Sequence, residues 1–124
     1  MHVLLVVDDE PEIRLIMEKF FAKHGFSVLS AEHGGYALEI IQSHVQIDCI
    51  LLDMKMPKVD GFAVLTQLRQ IGCAIPIILI GGSVGAENDI VKLQELGFQE
   101  EELLYKPISL DKLLEIVKSR LNII

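Results

Sequence analysis

Two short runs, Val3-Leu4-Leu5-Val6-Val7 and Cys49-Ile50-Leu51-Leu52, contain no charged or hydroxyl-bearing side chain. A strand with one wet face alternates apolar and polar residues. An unbroken, branched run of this length therefore predicts a strand covered on both faces, as in a parallel sheet held between helices. Both runs end in acid: Asp8 and Asp9 follow the first, and Asp53 follows the second. In open α/β sheets the carboxyl ends of the strands open onto a ligand crevice. Desolvating a charge is costly, so acids beside buried segments are rarely left unpaired, and three converging carboxylates predict a bound cation.

The rest of the chain repeats the strand and helix alternation of a doubly wound parallel sheet, five times over. The first strand is expected over about His2 to Val7. A helix then opens near Pro11 and buries Ile13, Ile16, Met17, Phe20 and Phe21, with Lys23, His24 and Gly25 closing it. Phe26 to Ala31 reads as the second strand, Gly35 to Ser43 as a short helix and Asp48 to Leu52 as the third strand. Asp60 is the expected N-cap of a helix that runs to about Gln70 with Phe62, Leu65 and Leu68 inward. Pro76 to Ile80 makes a fourth strand, and Pro76 is tolerated at its start. A weaker helix over Ala86 to Leu96 ends at Gly97, and a short strand follows over Leu103 to Tyr105. The final helix is capped by Ser109 and lined by Leu110, Leu113, Leu114, Val117 and Leu121.

A chain of 124 residues suffices for one hydrophobic core, so a single domain over 1–124 is expected. Apolar residues make up 51% of it, without a linker-like or low-complexity tract, which argues against disorder. The absence of a membrane-length apolar run and of a charged leader region predicts a cytoplasmic protein that does not engage membranes. Eleven basic and 18 acidic side chains leave a net charge of −7, which repels nucleic acid, so any role on DNA would pass through a partner. The acids Glu100, Glu101 and Glu102 read as a solvated loop. Cys49 and Cys73 read as reduced structural thiols, and His2, His24, His33 and His44 as helix-end or surface residues.

Three ordered motifs sharpen this picture: Val6-Val7-Asp8-Asp9, then Asp53-Met54-Lys55-Met56-Pro57-Lys58-Val59-Asp60-Gly61, then Lys106-Pro107. Together they resemble the response-regulator receiver domains of two-component signalling, across essentially the whole chain. The resemblance implies a flavodoxin-like, doubly wound, five-stranded parallel sheet of order 2-1-3-4-5 with helices on both faces, which would bring Asp9 beside Asp53. It implies that Asp53 is the phosphorylated nucleophile and that Lys106 pairs first with Asp53 and later with the phosphoryl oxygens. It further implies a Mg2+ ion held by Asp9, Asp53 and the Lys55 carbonyl, with Asp8 acting mainly through water. A helix-cap role would account for Asp8 or Asp9 taken alone, but not for Asp53.

The chain departs from the family pattern in places. Gly81 and Gly82 follow Ile80 where receivers place a Thr or Ser and then a small residue, and Ser83 is the nearest hydroxyl. Leu103 stands where many members carry a switch Tyr or Phe, with Tyr105 nearer the lysine. The segment from Gly97 to Lys106 is two residues longer than is common. The implied partners are a sensor histidine kinase or phosphotransfer protein, a downstream protein or output domain, and a phosphorylation-dependent second copy of the chain. Output is expected on the surface of the helix over 86–96, the last strand and the last helix. The alternative is a divergent receiver serving as a phosphorylation-independent binding module. A Mg2+-dependent phosphatase is disfavoured because Lys55 occupies the position of that chemistry's general acid.

Overall fold

The computed structural model describes residues 2–43, 46–54, 61–81, 95, 103–105 and 109–123. In chain order they form β1 (Val3–Val7), α1 (Pro11–Lys23), β2 (Ser27–Ala31), α2 (Gly34–Gln42), β3 (Cys49–Asp53), α3 (Gly61–Gln70), β4 (Ile77–Gly81), β5 (Leu103–Tyr105) and α4 (Leu110–Arg120). The strands lie in one sheet ordered β2-β1-β3-β4-β5, and every pairing is parallel. The chain moves outward from β1 to β2 and then returns across β1 to β3. That reversal opens a crevice at the carboxyl ends of β1 and β3.

The polarity pattern of the strands follows from burial on both sides. Leu5, Val7, Ile50, Leu52 and Leu79 pack on one face against Ala37 of α2 and Val64, Leu65 and Leu68 of α3. Their alternate neighbours Leu4, Val6, Leu51, Ile78 and Ile80 pack on the other against Met17 and Phe21 of α1 and Leu113 and Val117 of α4. Successive strand residues point to opposite faces, so two cores require apolar residues at every position. Among the described residues, no helix is long and apolar enough to cross a membrane.

Helix ends are set locally. Ser109 caps α4 by accepting the Lys112 N–H at 3.0 Å, as expected. His33 does the same for α2, its Nδ1 accepting the Tyr36 N–H at 3.1 Å, so its role is at a helix end. At the end of α1 the Phe26 N–H bonds the Phe21 carbonyl at 3.0 Å and the Gly25 N–H bonds the Ala22 carbonyl at 3.2 Å. Gly25 sits at φ +90°, a backbone state that glycine adopts without strain.

Several expectations require correction. Ile16 is 49% exposed, because the buried stripe of α1 is centred on Met17 and Phe21, with Ile13 and Phe20 at its margins. The strand expected over Asp48 to Leu52 runs one residue later and includes Asp53, while β4 likewise begins at Ile77 and includes Gly81. Phe26 precedes β2 and is buried against Phe21, with ring centroids 5.7 Å apart, edge to face. The expected helix boundaries over 86–96, the cap at Asp60, His44 and the acidic residues 100–102 lie outside the described residues.

Candidate functional site

Asp8 is the first residue after β1, and its N–H still pairs with the sheet through the Ala31 carbonyl at 3.1 Å. Its side chain is 3% exposed, and its Oδ1 accepts the Glu10 N–H at 2.9 Å. Neither Asp8 nor Asp9 occupies the cap position of α1. Glu10 does, and its side chain makes no capping bond. Pro11 in the first turn fits because its missing N–H would lack a helical partner in any case. The carboxylates of Asp8, Asp9 and Glu10 offer oxygen atoms that all lie within 4.8 Å of one another. Glu10 was not singled out from sequence, since an exposed glutamate before a helix is ordinarily a solvated side chain.

Asp53 ends β3 and is likewise 3% exposed. It is held between β1 and β4: it pairs in register with Ile80, and the next N–H, of Met54, bonds the Ile80 carbonyl at 2.8 Å. Val7 pairs with Leu52 in the last step of the β1–β3 ladder, so Asp8 and Asp9 leave β1 at the end of β3 that carries Asp53.

Gly81 is buried at the end of β4 and is in register with Tyr105, while Leu103 pairs with Leu79 two steps earlier. The carboxyl end of β5 therefore lies on the same side of the sheet as the acids, and Lys106 is the next residue in the chain. Lys106, Lys55, Gly82 and Ser83 themselves lie outside the described residues. One further contact was not legible in the sequence. Arg14 of α1 donates from Nη1 to the Asp8 carbonyl oxygen at 2.7 Å.

Chemically, among the described residues the gathered acids Asp8, Asp9 and Glu10 form a set of hard oxygen donors with no thiolate or imidazole among them. Such a set suits Mg2+ or Ca2+ over softer metals. The gathered oxygens of Asp8, Asp9 and Glu10 therefore fit a divalent ion, and Asp53 ends β3 at the same edge of the sheet.

A family model described as the response regulator receiver domain matches residues 4–118. The chain is 30% identical over 122 residues to the chemotaxis protein CheY of Bacillus subtilis, covering 98% of each chain. It is 38% identical over 108 residues to the probable transcriptional regulator ycf27 of Cyanidium caldarium, covering 87% of this chain but 41% of that longer protein. Among solved structures it resembles the response regulator TrrA of Thermotoga maritima in complex with Mg2+-BeF, with a TM-score of 0.81 and 29% identity over 97% of this chain and 99% of that one. The parallel sheet with a helical layer on each face, the acids at its switch point and the match over 4–118 lead to one family: this chain belongs to the response-regulator receiver domains of two-component signalling.

Proposed function

We propose that Asp53 accepts a phosphoryl group from the phosphohistidine of a sensor histidine kinase or phosphotransfer protein. A carboxylate oxygen of Asp53 attacks phosphorus in line, the P–N bond breaks, and its electron pair stays with the departing imidazole. The product is an acyl phosphate on Asp53. The carrying observation is the burial of Asp53 at the end of β3, at the edge of the sheet where Asp8 and Asp9 leave β1. Burying a carboxyl is costly, so its retention at a strand end beside other acids supports a chemical role.

Asp9, Asp53 and the Lys55 carbonyl would hold Mg2+ directly, with Asp8 acting mainly through water. When bound, the cation offsets repulsion between the Asp53 carboxylate and the phosphoryl anion. The oxygens gathered at Asp8 and Asp9, at the edge of the sheet where β3 ends in Asp53, support this assignment, as does the relative from Thermotoga maritima in complex with Mg2+-BeF. Lys106 supplies a cation for the phosphoryl oxygens. The chain is a phosphoacceptor that catalyses its own phosphotransfer and dephosphorylation, not a metabolic enzyme. We place it in the cytoplasm, signalling through altered association with a downstream protein, an output domain or a second copy.

Incubation with a small acyl phosphate and Mg2+, followed by mass spectrometry, tests the reading. One phosphoryl group per chain is expected, on Asp53, and none after chelation of the metal. Undiminished incorporation in Asp53→Asn would remove Asp53 as the nucleophile and favour the phosphorylation-independent binding module.

A further inference from the structure

We propose that Arg14 is a positioning residue for the acidic crevice, an inference that rests on the cation-assisted phosphoacceptor reading above. Side chains on a helix lean toward its N-terminus, so an arginine four positions into α1 can reach back over the helix start. Arg14 does so, and its Nη1 donates to the Asp8 carbonyl oxygen at 2.7 Å. Its own backbone N–H bonds the Glu10 carbonyl at 3.1 Å. The backbone bond is the ordinary first-turn bond that any residue there would make, so the guanidinium bond to Asp8 is what the arginine adds, and the Asp8 Oδ1 bond to the Glu10 N–H closes the turn at 2.9 Å.

The three carboxylates of that segment stand within 4.8 Å of one another, where like charges repel. That repulsion favours opening of the segment whenever no cation stands between them. The guanidinium bond to the Asp8 carbonyl holds the start of the segment against the helix, resists the opening and keeps the oxygens gathered for a divalent ion.

Charge and geometry have opposite signs here, which makes the role testable. A guanidinium acting only as a charge repels Mg2+, so its removal would tighten Mg2+ binding. A guanidinium acting as a clamp presents the ligands, so its removal weakens binding. Loss of an outer partner of a metal site typically costs 10- to 100-fold in affinity.

The test is calorimetric titration of Mg2+ into the full chain as parent, Arg14→Met, Arg14→Lys and Asp9→Asn, with amide hydrogen exchange measured without metal. Arg14→Met is expected to bind Mg2+ about tenfold more weakly. Arg14→Lys should fall between it and the parent, because lysine keeps the charge and a donor but loses the planar fork. The Glu10 amide should exchange faster in Arg14→Met, while the Ile50 amide, bonded to the Pro76 carbonyl at 2.9 Å, keeps its protection. Affinity in Arg14→Met equal to or above the parent overturns the inference. If that variant loses Ile50 protection and so fails to fold, Arg14→Lys decides, and parental affinity there overturns it. Parental affinity in Asp9→Asn is a different failure, since it removes the cation site on which the inference rests.

Discussion

At the scale of single residues, burial separates side chains that look alike in the sequence. Cys49 is fully buried in β3 and Cys73 is half-buried after α3. Burial pushes the Cys49 thiol up from its ordinary 9.0 to about 12, against smaller lowering effects of Arg120 and the Ile50 backbone. Only the thiolate is nucleophilic, so a disulfide reagent at neutral pH should titrate one thiol in the native protein, Cys73, and two after denaturation. Two thiols reacting at equal rates in the native state would contradict the burial of Cys49. The shift also has a linkage sign. The Cys49 contribution to stability is complete below pH 9.0 and is lost progressively as pH rises toward about 12, because only the unfolded chain ionises the thiol in that window. Alkaline titration of the urea midpoint, comparing the parent with Cys49→Ala, checks it.

The same scale governs the missing switch hydroxyl. Gly81 offers no side-chain hydroxyl to a phosphoryl group, and a hydrogen bond to a charged group is typically worth about 1.5 to 3 kcal/mol. We therefore expect a muted conformational response to phosphorylation, strengthened in Gly81→Thr as read by a probe on Tyr105. Lys55, two residues beyond the proposed nucleophile, is expected to slow hydrolysis by obstructing water and pairing with the phosphoryl group. Phosphate loss should accelerate in Lys55→Asn. Unchanged response and lifetime in these two variants would remove both assignments.

At the scale of elements, capping groups and turn glycines mark the boundaries. The Ser109 hydroxyl holds the first turn of α4, so Ser109→Ala should cost about 1 kcal/mol in denaturant unfolding. Gly25→Ala should cost about 1 to 2 kcal/mol for a conformational reason alone, since an added Cβ meets nothing within 4 Å but must accept φ +90°. A loss below a few tenths of a kcal/mol in either variant would show that the end frays at no cost. These signals were legible as letters. Apolar runs located the strands, Ser109 located the start of α4, and Gly25 located the end of α1. The exact strand limits were not legible, because an acid such as Asp53 reads as a loop residue until neighbouring strands are seen to pair with it. Ile16 failed for a related reason: apolar spacing allows a broad stripe on α1, and packing against the sheet selects only part of it.

At the scale of the whole molecule, one sheet is shared by two cores. Leu79 faces α2 and α3 while Leu113 brings α4 onto the opposite face, and both side chains are fully buried. Truncating either to alanine should cost about 2 to 5 kcal/mol. Because both cores pack on the same strands, we propose that residues 1–124 unfold as one cooperative unit, with either variant lowering the midpoint of a single urea transition followed by far-UV circular dichroism. A biphasic curve in Leu113→Ala, with α4 melting first, would divide that unit.

The sequence by itself determined the architecture and the chemistry available at one end of it. Branched apolar runs of strand length must be covered on both faces, amphipathic segments between them supply the cover, and acids placed directly after two runs emerge at the same edge of a parallel sheet. Only tertiary structure decided which groups meet there. Pairing of Val7 with Leu52 brings the acids after β1 to the end of β3 that carries Asp53, and the return of α1 over the end of β1 brings Arg14 to the Asp8 carbonyl. The physical reason is that periodicity encodes which way a side chain faces, whereas register and helix placement are settled by how two cores close around one sheet.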